Sequence, residues 1–189
     1  MKASALPNQV HTIPPDTRKI SIIGCGGSGK STLARQLGEI TRLPVIHLDK
    51  VFWRPNWQSI GDEAMNARVR EIIAQPAWII DGNYNTTMPN RLEAADLVIF
   101  MDFPRLFALF NILKRRITYR DRPRPDMSAG CPEKIDPEFF FLVWNFNHTH
   151  RSRYYQALAA LNKPAVILKS HRETARFLAQ ISSQSGSQQ

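Results

Sequence analysis

The sequence predicts an α/β fold built on a parallel sheet, and three observations carry that expectation. Ile20-Ser-Ile-Ile-Gly-Cys-Gly-Gly-Ser-Gly-Lys-Ser-Thr32 sets a β-rich run, a glycine-rich turn and the opening of a helix in that order. Short apolar runs then recur at residues 43–48, 78–80, 97–101 and 165–168, with helical spacing between them. Three of these runs deliver an aspartate, Asp49, Asp81 and Asp102, to the strand end where ligands gather in open parallel sheets.

Length and charge bound the rest. The 189 residues suffice for one domain with inserts, and 25 Lys plus Arg against 16 Asp plus Glu give a formal charge of +9, which invites phosphate-bearing partners. Two cysteines, Cys25 and Cys131, indicate neither a disulfide framework nor a zinc site, so a reduced, cytoplasmic setting is expected. No run approaches membrane-span length, and the first residues lack the apolar core of a secretory signal.

Residues 1–17 mix Pro7, Pro14 and Pro15 with polar residues and read as an extension before a domain at 18–183. The first strand then feeds Gly24 to Ser31, which fits G-x-x-x-x-G-K-[ST]. In that pattern Gly24, Gly26, Gly27, Ser28 and Gly29 wrap phosphates with backbone N–H groups at a helix N-terminus. Lys30 reaches the β/γ-phosphates, Ser31 places its hydroxyl on Mg²⁺, and Thr32 stands next on the phosphate side.

The second strand ends in Asp49, which can orient or deprotonate an acceptor hydroxyl, hold Mg²⁺ through water, or simply cap a helix. Trp53 and Arg54 follow in an acceptor-side insert at about 50–76, with an aromatic ring for stacking and a guanidinium for a phosphate. The third strand delivers Asp81-Gly82, where Asp81 is the preferred acid for the waters on Mg²⁺ and Gly82 leaves room for the acceptor. Asp102 reads first as a helix N-cap before Pro104.

The helix after it is expected to bury Leu106, Leu109, Phe110, Leu113 and Ile117. Residues 119–135 are too rich in proline and charge for a regular element and suit a lid; Arg116, Arg120, Arg122 and Arg124 are its candidate phosphate ligands. A long helix from Asp136-Pro137 breaks pattern near its middle, where Arg151 is placed to return to the phosphates. A fifth strand, a helix capped by Ser170 and Glu173, and a disordered tail after Ile181 close the chain.

These residues resemble the adenylate-kinase-related P-loop proteins of the DNA topology modulation (FlaR-type) family. The match runs through the glycine loop, His47-Leu-Asp-Lys50, Trp78-Ile-Ile-Asp-Gly-Asn-Tyr84, Asp102-Phe-Pro-Arg105 and Gly130-Cys-Pro-Glu-Lys134. The resemblance implies a nucleotide-kinase-like fold with sheet order 2-3-1-4-5 and a small arginine-bearing lid. Monophosphate kinases of this type carry Asp-Gly-Phe-Pro-Arg where this chain has Asp81-Gly-Asn-Tyr84, so Arg91 is the candidate substitute clamp and a surface ion pair its alternative.

The expected activity is transfer of the γ-phosphoryl of Mg-ATP to a small acceptor, either a hydroxyl or a monophosphate. The alternative is an ATP-binding nucleic-acid regulator, as the family's name suggests, although no helix-turn-helix, zinc finger or aromatic RNA-binding motif is present.

Overall fold

The computed structural model describes residues 8–120, 122, 124–133 and 137–186. Expectations that fall on residues 1–7, on Lys134 and Asp136, and on the last residues of the tail lie outside these. Five parallel strands form the sheet: β1 (Lys19–Gly24), β2 (Val45–His47), β5 (Trp78–Asp81), β6 (Leu97–Met101) and β7 (Ala165–Leu168). Their order is β2-β5-β1-β6-β7, which is 2-3-1-4-5 when these strands alone are counted. Two further strands, β3 (Trp53–Arg54) and β4 (Gln58–Ser59), make a small antiparallel hairpin within residues 50–76.

Period-2 alternation divides the core into two layers. Ile20, Ile22, Ile79, Leu97 and Ile99 face α1 (Lys30–Thr41) and α8 (His171–Gly186), meeting Leu33, Leu37, Phe177 and Ile181. Their neighbours Ile23, Trp78, Ile80, Val98 and Phe100 face the other way. There they pack on α3 (Asp62–Ile73), α4 (Met88–Ala94), α5 (Arg105–Thr118), α6 (Pro137–Thr149) and α7 (Arg151–Ala160). Strands covered on both faces read as continuous apolar runs, which is why they stood out in the sequence.

Several boundaries differ from expectation. β2 ends at His47, and a short helix α2 (Leu48–Phe52) takes over, so Asp49 sits in a helical first turn and not on a strand tip. The long helix after residue 137 is two helices meeting at His150. The tail does not lose structure at Ile181: α8 continues to Gly186, Ile181 is buried, and the Ser183 hydroxyl donates to the Ala179 carbonyl. Ser170 Oγ accepts from Glu173 N at its start, and Glu173 Oε2 accepts from Lys169 N.

The extension is also docked over its described part. Val10 N donates to Ala165 O at 2.9 Å, Gln9 bridges Ala165 in parallel, and Asn8 Nδ2 donates to the carbonyl of Leu161 at 2.8 Å.

The helix α5 reverses its expected phase. Ala108 and Ile112 face the core and Leu109 packs partly against it as expected, whereas Leu106, Phe110, Leu113 and Ile117 are exposed. All these positions have helical spacing, and spacing gives the period of a pattern without its direction.

Candidate functional site

The glycine loop takes its shape from what surrounds it. Gly24 (φ 146°) and Gly27 (φ 78°) adopt backbone angles that side chains resist, and a Cβ would stand 2.5 Å from Met101 O at the first and 2.4 Å from Ala108 O at the second. Two amide side chains fix the loop from outside: Asn83 Oδ1 accepts from Gly24 N at 3.2 Å, and Asn111 Nδ2 donates to Gly27 O at 2.9 Å. Lys30 Nζ donates to the loop's own carbonyls, Gly24 O at 3.0 Å and Cys25 O at 2.8 Å. Burial pulls the Lys30 ammonium below its ordinary range, against the nearby Cys25 and Asp81.

The loop opens into a cleft of about 630 Å³ that also takes in Asp49, Asp81, Gly82, Asn83, Tyr84, Arg115, Arg124 and Asp126. Asp81 is 4 % exposed. Its Oδ2 accepts the Ser31 hydroxyl at 2.7 Å, while Oδ1 pairs with His47 Nδ1 from the neighbouring strand end. A hydroxyl and a carboxylate oxygen in contact are hard donors of the kind Mg²⁺ takes. Among the described residues no three His, Cys, Asp or Glu side chains gather as a metal cage. A cation held by Ser31 and Asp81 would therefore complete its shell with water and phosphate oxygens, the habit of Mg²⁺.

Asp49 has no capping role: His47 is the N-cap of α2 and makes no side-chain cap bond. Instead Asp49 Oδ1 accepts the Tyr84 hydroxyl at 2.8 Å. Burial pushes the Asp49 carboxyl above its usual range, opposed by Tyr84 and reinforced by the Asp81 charge. Burial and the Asp49 charge push the Tyr84 phenol upward as well, so it stays a donor. Tyr84 is held at φ 27°, uncommon for a residue with a side chain, and its carbonyl accepts from Thr87 N and Met88 N at the start of α4.

Arg124, Pro125 and Asp126 also line the cleft. Arg124 NH1 donates to Glu133 Oε1 at 2.6 Å, its NH2 to Asp126 Oδ2 at 2.6 Å, and Arg115 Nε lies 3.1 Å from Glu133 Oε1. Burial disfavours charge on both Arg124 and Asp126, but their mutual bonds prevail, raising the arginine and lowering Asp126 to about 2.

Several expected residues lie elsewhere. Arg91 is fully buried and donates to Gly82 O at 3.0 Å, Asn83 O at 2.5 Å and Thr87 Oγ1 at 3.2 Å, so it is neither an acceptor clamp nor a surface ion-pair member. Burial lowers its guanidinium to about 10. Arg54 is exposed and Trp53 stacks edge-on with Phe52 and Trp57, both outside the cleft lining. Arg116, Arg120 and Arg122 are likewise outside it, the last two exposed. Arg151 turns to Asp102, with Nε donating to Oδ1 at 2.7 Å and NH2 to Oδ2 at 2.7 Å, joined by the Tyr155 hydroxyl at 2.7 Å. Asp102 is thus no helix cap, a position held by Pro104, and Arg151 is not aimed at phosphates.

With this geometry in view, comparison with solved structures finds shikimate kinase from Acinetobacter baumannii in complex with shikimate similar at 18% identity and a TM-score of 0.54, over 92% of this chain and 96% of that one. Shikimate kinase from Bacteroides thetaiotaomicron is similar at 16% identity and a TM-score of 0.53, over 89% and 98%. The fold is that of the P-loop kinases. Deoxyadenosine kinase from M. mycoides with products dCMP and a flexible dCDP bound shares it at 14% identity and a TM-score of 0.50, over 89% and 99%. No protein-family model and no curated protein matches the chain.

Within this P-loop kinase fold, sequence reasoning passed over His47, Asn111, Arg115 and Asp126 and gave Tyr84 no role. Asn111 and Arg115 carry a signal that was readable, because at i,i+4 on α5 they share the face that meets the glycine loop. His47 is the N-cap of α2, two residues before the cleft acid Asp49. Nothing in the local sequence marks Asp126 apart from its neighbours.

Proposed function

We propose that the chain is a phosphotransferase that moves the γ-phosphoryl of Mg-ATP to a hydroxyl group of a small acceptor, with a nucleoside among the candidates. The observation that carries this reading is the Asp49–Tyr84 pair in the same cleft as Lys30 and the Ser31–Asp81 contact. A hydroxyl acceptor needs a base, whereas a monophosphate needs a free cationic clamp. Asp49 supplies the first. The two arginines proposed for the second are withdrawn, Arg91 into the core and Arg54 onto the surface.

Backbone amides of Gly26 to Lys30 bind the β-phosphate, and Lys30 leaves the Gly24 and Cys25 carbonyls to neutralise the β/γ oxygens. Ser31 and Asp81 would hold Mg²⁺, which when bound would draw charge from the phosphate oxygens. The Asp49 carboxylate takes the acceptor proton as the acceptor oxygen bonds to the γ-phosphorus. The bond from that phosphorus to the β–γ bridging oxygen breaks, and ADP leaves with both electrons. Arg115 from α5 and Arg124 from the segment after it are the cations at this site.

Two of the proteins sharing the fold, a shikimate kinase and a deoxyadenosine kinase, are named for hydroxyl-bearing compounds, in keeping with this reading. The narrower kinship with topology modulation proteins rests on the quoted motifs. Arg115, Arg124 and Arg151 are engaged by Glu133, Asp126 and Asp102, so these three do not form a free basic surface for nucleic acid.

An ADP-release screen over nucleosides, monophosphates and small hydroxy acids tests the proposal. The expected result is release that depends on a hydroxyl acceptor and is lost in Lys30→Ala and Asp49→Asn. Release supported only by monophosphates, or unchanged in Asp49→Asn, overturns it.

A further inference from the structure

Every exposed large apolar side chain among the described residues lies on α5 or α6. On α5, Leu106, Phe110, Leu113 and Ile117 are 67, 61, 46 and 79 % exposed; on α6, Phe141 and Trp144 are 72 and 45 % exposed. The α5 residues follow a 4-3-4 spacing, the a/d seam of a heptad, and point directly away from the buried Ala108 and Ile112. The two helices lie side by side, with the Arg105 guanidinium 4.3 Å over the Trp144 ring at one end. A groove of about 540 Å³ runs between them, floored by Leu109 and Phe140.

We propose that this face is the contact surface of a homodimer, in which α5 and α6 of one copy pack on α5 and α6 of a second copy about a two-fold axis. The extent of the face argues for this occupant. The six residues expose on the order of 800 Å², above the ~300–600 Å² of the largest patch on an ordinary monomer and equal to the ~800 Å² each partner contributes to a standard interface. Its pattern argues the same way, because a heptad seam is completed by a matching seam, and one pair of helices is half of a four-helix arrangement.

Charge is compatible with self-association. Arg105, Lys114 and Arg116 flank the stripe, where they stay at a solvated rim and salt screens their mutual repulsion. The opposite faces of α5 and α6 support the glycine loop, through Asn111 on Gly27 O and Phe139 and Val143 beneath Gly26. The dimer therefore joins the two copies through the elements that hold the loop. None of this depends on the acceptor or the reaction.

The test is sedimentation equilibrium of the full chain across the micromolar range, with the paired substitution Phe110→Arg and Phe141→Arg. The wild type is expected to be a dimer, and the variant a monomer with unchanged far-ultraviolet circular dichroism and dimerisation weakened about tenfold or more. A second measurement does not rely on that variant folding. Single cysteines placed in turn at Leu106, Phe110, Leu113 and Ile117 should include at least one that cross-links two chains under mild oxidation, against a background in which Cys25 and Cys131 are buried. A wild type that stays monomeric without cross-linking overturns the proposal. So does a dimer that survives the paired arginines, or a monomer that instead sediments with phosphatidylglycerol/phosphatidylcholine vesicles through this face.

Discussion

Tyr84 donates its hydroxyl to Asp49 Oδ1 at 2.8 Å, and this bond opposes the burial that drives the Asp49 carboxyl upward. A bond to the charged form lowers a carboxyl pKa, so removing it raises the pKa. Tyr84→Phe is therefore expected to move the acid limb of the pH–rate profile to higher pH. The check is the profile of acceptor-dependent ADP release. A limb that stays in place separates Asp49 from the titration that controls turnover.

The same raised carboxyl weakens the fold. A group whose folded pKa lies above its unfolded value disfavours folding once pH exceeds the unfolded value, and here that includes neutral pH. Asp49→Asn should accordingly raise the melting temperature at pH 7 while abolishing transfer. Thermal scans at pH 4 and pH 7 should show the gain at the higher pH.

Arg91 gives the opposite contrast. Its guanidinium satisfies two carbonyls of the Gly82-Asn83 turn and the Thr87 hydroxyl from a fully buried position. Arg91→Ala is expected to cost about 3 kcal/mol or more by leaving those acceptors unpaired, with Lys a poor substitute because it lacks the fork. Chemical denaturation reads the loss. An acceptor KM that rises while stability is unchanged would return Arg91 to the substrate.

The Arg124–Asp126 contact should loosen in acid. Asp126, with its pKa lowered to about 2, stabilises the folded state above the ordinary carboxylate pKa, and that stabilisation disappears as pH falls through about 2. The difference is worth about 2 kcal/mol. Asp126→Asn should remove this part of the acid dependence, measured by denaturation midpoints between pH 2 and 6.

Much of this architecture was legible because strands buried on both faces leave unbroken apolar runs, and because the glycine loop fixes strand, turn and helix within 13 residues. Asp81 was legible for the same reason, since strand ends define where a parallel sheet gathers chemistry, whereas Asp126 was not. Direction was harder to read than period. Arg115 enters the cleft and Arg116 does not, though one residue and about 100° of helix turn separate them. Arg91 and Arg151 were misplaced because a long flexible arm reaches any acceptor within several ångströms, and the Gly82 carbonyl and Asp102 are brought near only by the fold. Asn8 to Val10 carry no alternating pattern, so their pairing with β7 left no trace in the sequence.

That pairing has a practical corollary. β7 is the outermost strand of the sheet, and the arm occupies part of the rim where its amides and carbonyls would otherwise offer themselves to another chain. Trimming the chain back to Arg18 would bare that rim, and turbidity during refolding, not loss of the cleft, would be its first symptom.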